Sequence, residues 1–262
     1  MLLQDFAPGM KARYQVLPVL ALLVAYAARK SRNRGKSPGR KKTLRTRSLE
    51  LGAAALQPLT PVEQINAYLS GFHFQNGNLD HQIEAHHYCT LLNEELMQCV
   101  IYDSPRAEAK LIGIEYIISR RLFESLPEEE KPLWHSHSYE VKSGQLVAPG
   151  LPEFVERQFM EKIQTTYGKI WHTWDTTDPE KTLPLGIPNL MMGFTADGQI
   201  KPELLAQRDR LLNCSTAAKR QQRKDIETAS IAAGANAWEQ GEIRQVELVR
   251  TGLTYRHAGS RD

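Results

Sequence analysis

The sequence predicts an α+β domain with a mostly antiparallel sheet and flanking short helices, a disordered basic N-terminal head and a helical C-terminal extension. Three observations lead there. Runs rich in β-branched and aromatic residues recur between residues 84 and 194. The connections between them are short, which suits antiparallel rather than parallel pairing. The charge is split: residues 1–47 hold twelve Lys/Arg and one acid, Asp5, whereas residues 48–262 hold 21 basic and 29 acidic residues. The expected division is 1–58 for the head, 59–200 for the α+β domain and 201–262 for the helical extension and a loose tail.

The head opens with an apolar run, VLPVLALLVAYAA, from Val16 to Ala28, and ten basic residues follow between Arg29 and Arg47 without an acid. A membrane-crossing helix needs about 20 apolar residues, so this run is short. Its length suits a signal-peptide core, but dense Lys/Arg behind an apolar segment opposes export. An apolar stub followed by a polybasic stretch is a two-part membrane attachment. Val16, Leu17, Leu20, Leu22, Leu23 and Val24 would enter lipid, while Arg29, Lys30, Arg32 and Arg34 would meet anionic headgroups. The same composition also fits an organelle-targeting sequence, a nuclear localisation signal, or an upstream stretch outside the true start. Ser31 to Thr43 offers nothing to bury and is expected to lack order.

Thr60-Pro61-Val62-Glu63 reads as a capping box, predicting a helix to about Ser70 with Val62, Ile65, Tyr68 and Leu69 as its apolar stripe. Asn76-Gly77-Asn78 marks a turn. Strands are predicted at 84–91, 96–102, 110–118, 138–147, 169–174 and 189–194, with Leu92 to Glu95 closing a hairpin. In the third run, LIGIEYII, Glu115 is the only charge. Two short helical stretches fall at 119–133 and 152–165. Beyond residue 200, LLAQRDRLLNCSTAAKRQQRKDIE reads as one long polar helix from Glu203 to about Glu227.

Five of the eight histidines lie in three aromatic-flanked clusters: Glu84-Ala85-His86-His87-Tyr88-Cys89, Trp134-His135-Ser136-His137-Ser138-Tyr139-Glu140, and Trp171-His172-Thr173-Trp174-Asp175. On a strand, His86 and His87 face opposite ways, while His135 and His137 share a face with Glu140 opposed. Imidazoles and carboxylates are the usual ligands of a divalent transition metal, and the same groups serve acid–base chemistry near neutrality. His87, His135, His137, His172 and Glu140 are therefore the candidate metal ligands. The competing reading is a structural polar network in a folded core. No HExxH, paired CxxC, nucleophile elbow, phosphate loop or dinucleotide fingerprint is present. Three cysteines are too few and too scattered for a disulfide framework and suit a reducing compartment, with a secreted protein carrying one bridge as the alternative; Cys99, in the apolar MQCVIYD, reads as buried filler.

The segments HHYCTLLNEELMQCVIYDS, AKLIGIEYIISRRLFESLPEEEKPLWHSHSYEVKSGQLVAPGLP and YGKIWHTWDTTDPEKTLPLGIPNLMM, within residues 66–195, closely resemble the oil body-associated protein family of plants, fungi and bacteria. That family has no established catalytic mechanism or set of active residues. Its plant members are associated with seed oil bodies and influence droplet shape and size. The resemblance implies a lipid-droplet or membrane-surface protein that is not a catalyst, with lipid as partner. The alternative is a metal-binding or histidine-dependent enzyme using the clustered histidines. Nucleic acid is not an expected partner, because the body is acidic and has no basic-aromatic face.

Overall fold

A computed structural model of the chain describes residues 38–252, which fall into two compact units. One unit comprises 38–60 with 105–109, the other 61–104 with 110–252. In the first, helix α1 spans Leu44–Leu56, its N-terminus capped by Thr43, whose Oγ1 accepts from the Thr46 amide at 3.1 Å. This helix lies inside the head, where the sequence predicts none. A good cap and an alanine-rich second half account for it, although none of its residues is buried. The residues expected to meet lipid and headgroups, Val16 to Arg34, lie outside the described residues. Among those described, no helix is long and apolar enough to cross a membrane.

The capping box does start a helix, α2, but it ends at Glu63 (Thr60–Glu63) instead of running to Ser70. Strand β1 (Ala67–Gln75) follows. The run AYLSGFHF is aromatic and carries Gly71, which costs a helix about 1 kcal/mol but fits a strand where other atoms approach closely. Gly77, at φ 88°, makes the turn into β2 (Asn78–Leu91) in the left-handed region that glycine adopts without penalty. Strands β3 (Leu96–Tyr102) and β4 (Leu111–Ser119) extend the meander. Next come α3 (Arg120–Glu124) and the two-residue strand β5 (His135–Ser136). The strand predicted over 138–147 is instead helix α4 (Ser138–Ser143), stopped by Gly144 at φ 79°. Helix α5 (Glu153–Ile163), β6 (Thr166–His172) and β7 (Asn189–Met192) complete the domain's centre.

Every strand pairing is antiparallel, and the sheet closes on itself. After β1–β2–β3–β4, β4 pairs with β6 from Gly113↔His172 to Ser119↔Thr166. Strand β6 then pairs with β7, and β7 returns to β1 through Phe74↔Met192. The result is a six-stranded barrel, with β5 an added rung on β6. Its interior holds Leu69, Met97 and Ile117, which pack with Val141 of α4 and Met160 and Ile163 of α5. Ile83, Ala85, Ile101, Ile170 and Met191 form a second apolar group.

Cys89 and Cys99 are direct partners across β2 and β3 and are joined by a disulfide. Cys99 is thus one half of a bridge rather than a filler thiol; only the strand register makes the two neighbours. The helix predicted over 203–227 is two helices, α6 (Pro202–Leu212) and α7 (Thr216–Gln222). Asn213, at φ 49°, ends the first, and Ser215 caps the second by accepting from the Ala218 amide at 3.2 Å. These helices belong to the same compact unit as the barrel. Arg208 is fully buried, its guanidinium 5.0 Å from the Phe72 ring centre, and it donates to the carbonyls of Gly144 and Gln145.

Candidate metal centre

Alternation along the strands sends odd-numbered residues of β1 to β3 into the barrel, those of β4 from Gly113 onward, beyond the register shift opposite Ile101 and Tyr102, and even-numbered residues of β6. That rule places His73 (β1), His87 (β2), Glu115 (β4) and His172 (β6) inside. His135 and His137 reach the same space from β5 and the N-cap of α4, and Glu140 comes from the first turn of α4. None of the seven is more than 5% exposed.

Glu115 is the hub. Its Oε2 lies 3.1 Å from His87 Nε2, and its Oε1 lies 3.2 Å from His137 Nε2 and 3.8 Å from His135 Nε2. His87 Nε2 is also 3.1 Å from His73 Nε2, and His73 Nδ1 is 3.0 Å from His172 Nε2. At the far side, His137 Nδ1 donates to Thr166 Oγ1 at 2.9 Å, and that hydroxyl donates onward to the Ile163 carbonyl at 2.6 Å. Glu140 Oε2 lies 3.5 Å from His135 Nε2. Among the described residues, Glu140 Oε2, His135 Nδ1 and His87 Nδ1 are buried without a hydrogen-bond partner. His73, His87 and Glu115 form one group whose ligand atoms lie within 4.8 Å of one another, and Glu115, His135 and His137 form a second.

Glycines make the room. A Cβ at Gly168 would lie 2.1 Å from Glu115 Oε1 and 2.6 Å from His135 Cε1. One at Gly193 would lie 2.5 Å from Glu140 Oε2 and 2.8 Å from His135 Cδ2. A six-stranded barrel is narrow, so bulky polar side chains inside it need glycine opposite.

The electrostatics follow from burial and from Glu115. Burial opposes ionisation of Glu115, yet the hydrogen bonds from His137 and His87 prevail and hold its carboxyl well below the usual carboxylate range. His137 is pulled the other way: burial opposes its charge, and the Glu115 carboxylate raises it above the ordinary imidazole value. His73 is lowered by burial and then by His87, and the same two causes bring His172 down to about 3. Glu115 thus favours the charged form of His137, while burial favours the neutral forms of His73 and His172.

Of the residues that the sequence singled out, His87, His135, His137 and Glu140 surround one centre. His172 sits one imidazole further out, bonded to His73. Glu140 does not oppose the His135–His137 pair as an extended chain would require; the turn into α4 brings it to the same side. His86 faces the outer wall, with Nδ1 2.8 Å from Tyr68 Oη and Nε2 3.0 Å from Glu84 Oε1. Two central residues were not among the candidates. His73 lies just beyond the helix predicted to Ser70, on a strand that the pattern does not predict, whereas Glu115 carries a legible signal as the lone charge of an apolar strand. Next to His172, a polar cleft is lined by Gln75, His81, Thr173, Asp175, Lys181 and Asn189.

Fold and site together define a small closed antiparallel barrel with a buried His/Glu centre of metal-ligand character. The model of a family described as a protein of unknown function, DUF1264, matches residues 59–227. The chain is 40% identical over 216 residues to oil body-associated protein 1B of Arabidopsis thaliana, covering 80% of this chain and 89% of that one. It is 42% identical over 216 residues to oil body-associated protein 1A of Zea mays, covering 80% and 90%. It is 43% identical over 206 residues to oil body-associated protein 2C of Arabidopsis thaliana, covering 78% and 86%. The chain belongs to the oil body-associated protein family. No solved structure gives a significant match.

Proposed function

We propose that the barrel holds a divalent transition metal. One observation carries this reading: a buried carboxylate, Glu115, has imidazole nitrogens at both of its oxygens. Isolating charge in a barrel costs several kcal/mol per ion, and apolar side chains of equal volume would stabilise the fold at least as well. One carboxylate oxygen of Glu140 is buried without a hydrogen bond and faces His135 Nε2 at 3.5 Å, a place where an ion would supply the missing partner. Nitrogen and oxygen donors without thiolate suit zinc, iron, manganese or nickel. The test is elemental analysis of the purified full chain after chelation and reloading with zinc. Stoichiometric zinc that is lost in Glu115→Ala, with the circular dichroism spectrum retained, supports the reading; a chain that takes up no metal overturns it.

The names of the relatives support association of this chain with lipid bodies as a second reading. The physical route is burial of Val16–Ala28 in lipid with Arg29–Arg47 against anionic headgroups, worth about 0.8 kcal/mol per buried CH₂ plus the electrostatic attraction. Full-length protein should float with isolated lipid droplets, and a chain lacking residues 1–47 should not. Unchanged flotation of the shortened chain would move the contact to the domain, where Leu111, Ile114, Trp171, Pro188 and Val246 line an apolar groove. Absence of flotation by the full chain would remove the lipid reading.

A further inference from the structure

We infer that the centre is dinuclear, with Glu115 bridging two divalent transition-metal ions; this rests on the metal-binding reading above. The first ion takes His73 Nε2, His87 Nε2 and Glu115 Oε2. The second takes His135 Nε2, His137 Nε2 and Glu115 Oε1, with Glu140 Oε2 as a further donor.

The argument starts from how the ligand atoms divide. They gather in two groups of three, and Glu115 is the only member common to both. The histidine pairs also address different oxygens: His87 lies against Oε2, and His137 and His135 lie against Oε1. An ion with ligands about 2.0–2.1 Å away in tetrahedral array separates those ligands by roughly 3.3 Å. In the first group two separations match, with 3.1 Å between His73 and His87 and 3.1 Å between His87 and Glu115; the third pair, His73 and Glu115, stands wider, within 4.8 Å, and would draw in around an ion. The second brackets the figure, with 3.2 Å from Glu115 to His137 and 3.8 Å to His135. A single ion on either oxygen would leave the other histidine pair buried and unused.

Two independent features point the same way. Glu140 Oε2 is buried, lacks a hydrogen-bond partner and lies 3.5 Å from His135 Nε2, where a further ligand of the second ion is required. Gly193 keeps open the space beside it. On the other side, His172 Nε2 meets His73 Nδ1, the nitrogen that His73 does not offer to the first ion. That is how an outer partner fixes the orientation of a ligand imidazole. A carboxylate with one oxygen on each ion fits a spacing of about 3.5–4 Å, the range of two-metal centres. Cys89 and Cys99 are tied to each other, so the donors are nitrogen and oxygen only.

The experiment uses the full chain, stripped by chelation and reloaded with zinc for counting or with manganese(II) for electron paramagnetic resonance. Two equivalents of zinc per chain are expected. His135→Ala/His137→Ala and His73→Ala/His87→Ala should each retain one. Manganese-loaded wild type should show an exchange-coupled signal, and either double variant the six-line signal of an isolated ion. One equivalent of zinc in the wild type overturns the dinuclear assignment and leaves the metal-binding reading standing. Two equivalents with uncoupled manganese overturn the bridge. No uptake overturns both. The wild-type count and spectrum decide even where a double variant fails to fold.

Discussion

Gly168 and Glu115 share one small volume inside the barrel: a Cβ on residue 168 would sit 2.1 Å from the Oε1 of the carboxylate. The pairing Ile117↔Gly168 fixes this proximity, because it sets the glycine beside the hub residue on the neighbouring strand. Gly168→Ala should therefore push Glu115 off its imidazoles. We expect metal affinity to fall by at least tenfold and stability to drop by about 1–3 kcal/mol, the usual cost of overpacking. Zinc titration and urea unfolding of the variant measure both, and unchanged zinc binding would contradict the assignment of Glu115.

His172 should act on metal through His73 rather than directly. Outer-shell partners of ligand histidines are typically worth 10–100-fold in metal affinity. His172→Gln is thus expected to weaken binding within that range while leaving the number of ions per chain unchanged. A lost equivalent would make His172 a ligand.

Acid should destabilise the metal-free barrel. His172, at about 3 in the folded chain against 6.5 ordinarily, and Glu115, held below its ordinary 4.5, are both depressed. The unfolded chain then binds more protons on the acid side, so stability is full above about 6.5 and is lost as pH falls toward 3. His137 is raised and contributes with the opposite sign, its share fading as pH climbs past 6.5. Urea midpoints of the chelated protein should fall between about pH 6.5 and 4, less steeply in His172→Gln. A flat profile would show that burial does not depress His172 and that His137 and His87 do not depress Glu115.

Arg223 joins residues far apart in sequence. It donates to the carbonyls of Val141 and Leu146 at 2.9 and 2.7 Å and to Glu156 Oε1 at 3.0 Å, while Lys219 also pairs with Glu156. Removing one partner of a buried ion pair costs about 3–5 kcal/mol. Arg223→Met should lower stability by that amount, read from the urea midpoint. A change below about 1 kcal/mol would mean that Lys219 alone satisfies Glu156.

The Cys89–Cys99 bridge closes a short loop between residues ten apart. Chain-entropy arguments give such a crosslink roughly 2–3 kcal/mol. Cys89→Ala/Cys99→Ala should unfold at correspondingly lower urea, with metal stoichiometry intact.

What the sequence disclosed was local. The β-branched and aromatic run LIGIEYII and the apolar MQCVIYD place β3 and β4 to within a residue, whereas β2 begins at Asn78, ahead of the predicted 84–91. The antiparallel α+β class also followed, because short connections leave little alternative. Closure of the sheet did not follow: β4 meets β6 across some fifty residues of intervening chain, and nothing local encodes that register. Separation along the chain likewise conceals how Glu115 gathers His87 and His137. HSHSYE misled because His-x-His reads as an extended pair, while the capping turn at His137 sends Ser138 to Ser143 into a helix. Tyr68 and Leu69 fitted a helical stripe only because a short apolar run suits either period.

The route by which the barrel closes bears on how the centre fills. His73, His87 and Glu115 lie on consecutive hairpins formed by residues 67–119, contacts of low sequence separation that cost little loop entropy. His135 and His137 arrive only when β6 docks against β4 and pays the entropy of a long loop. Ion capture would accordingly be sequential. A nascent chain that has emerged only as far as β4 already carries one set of donors, and the second is assembled by the docking step that completes the wall.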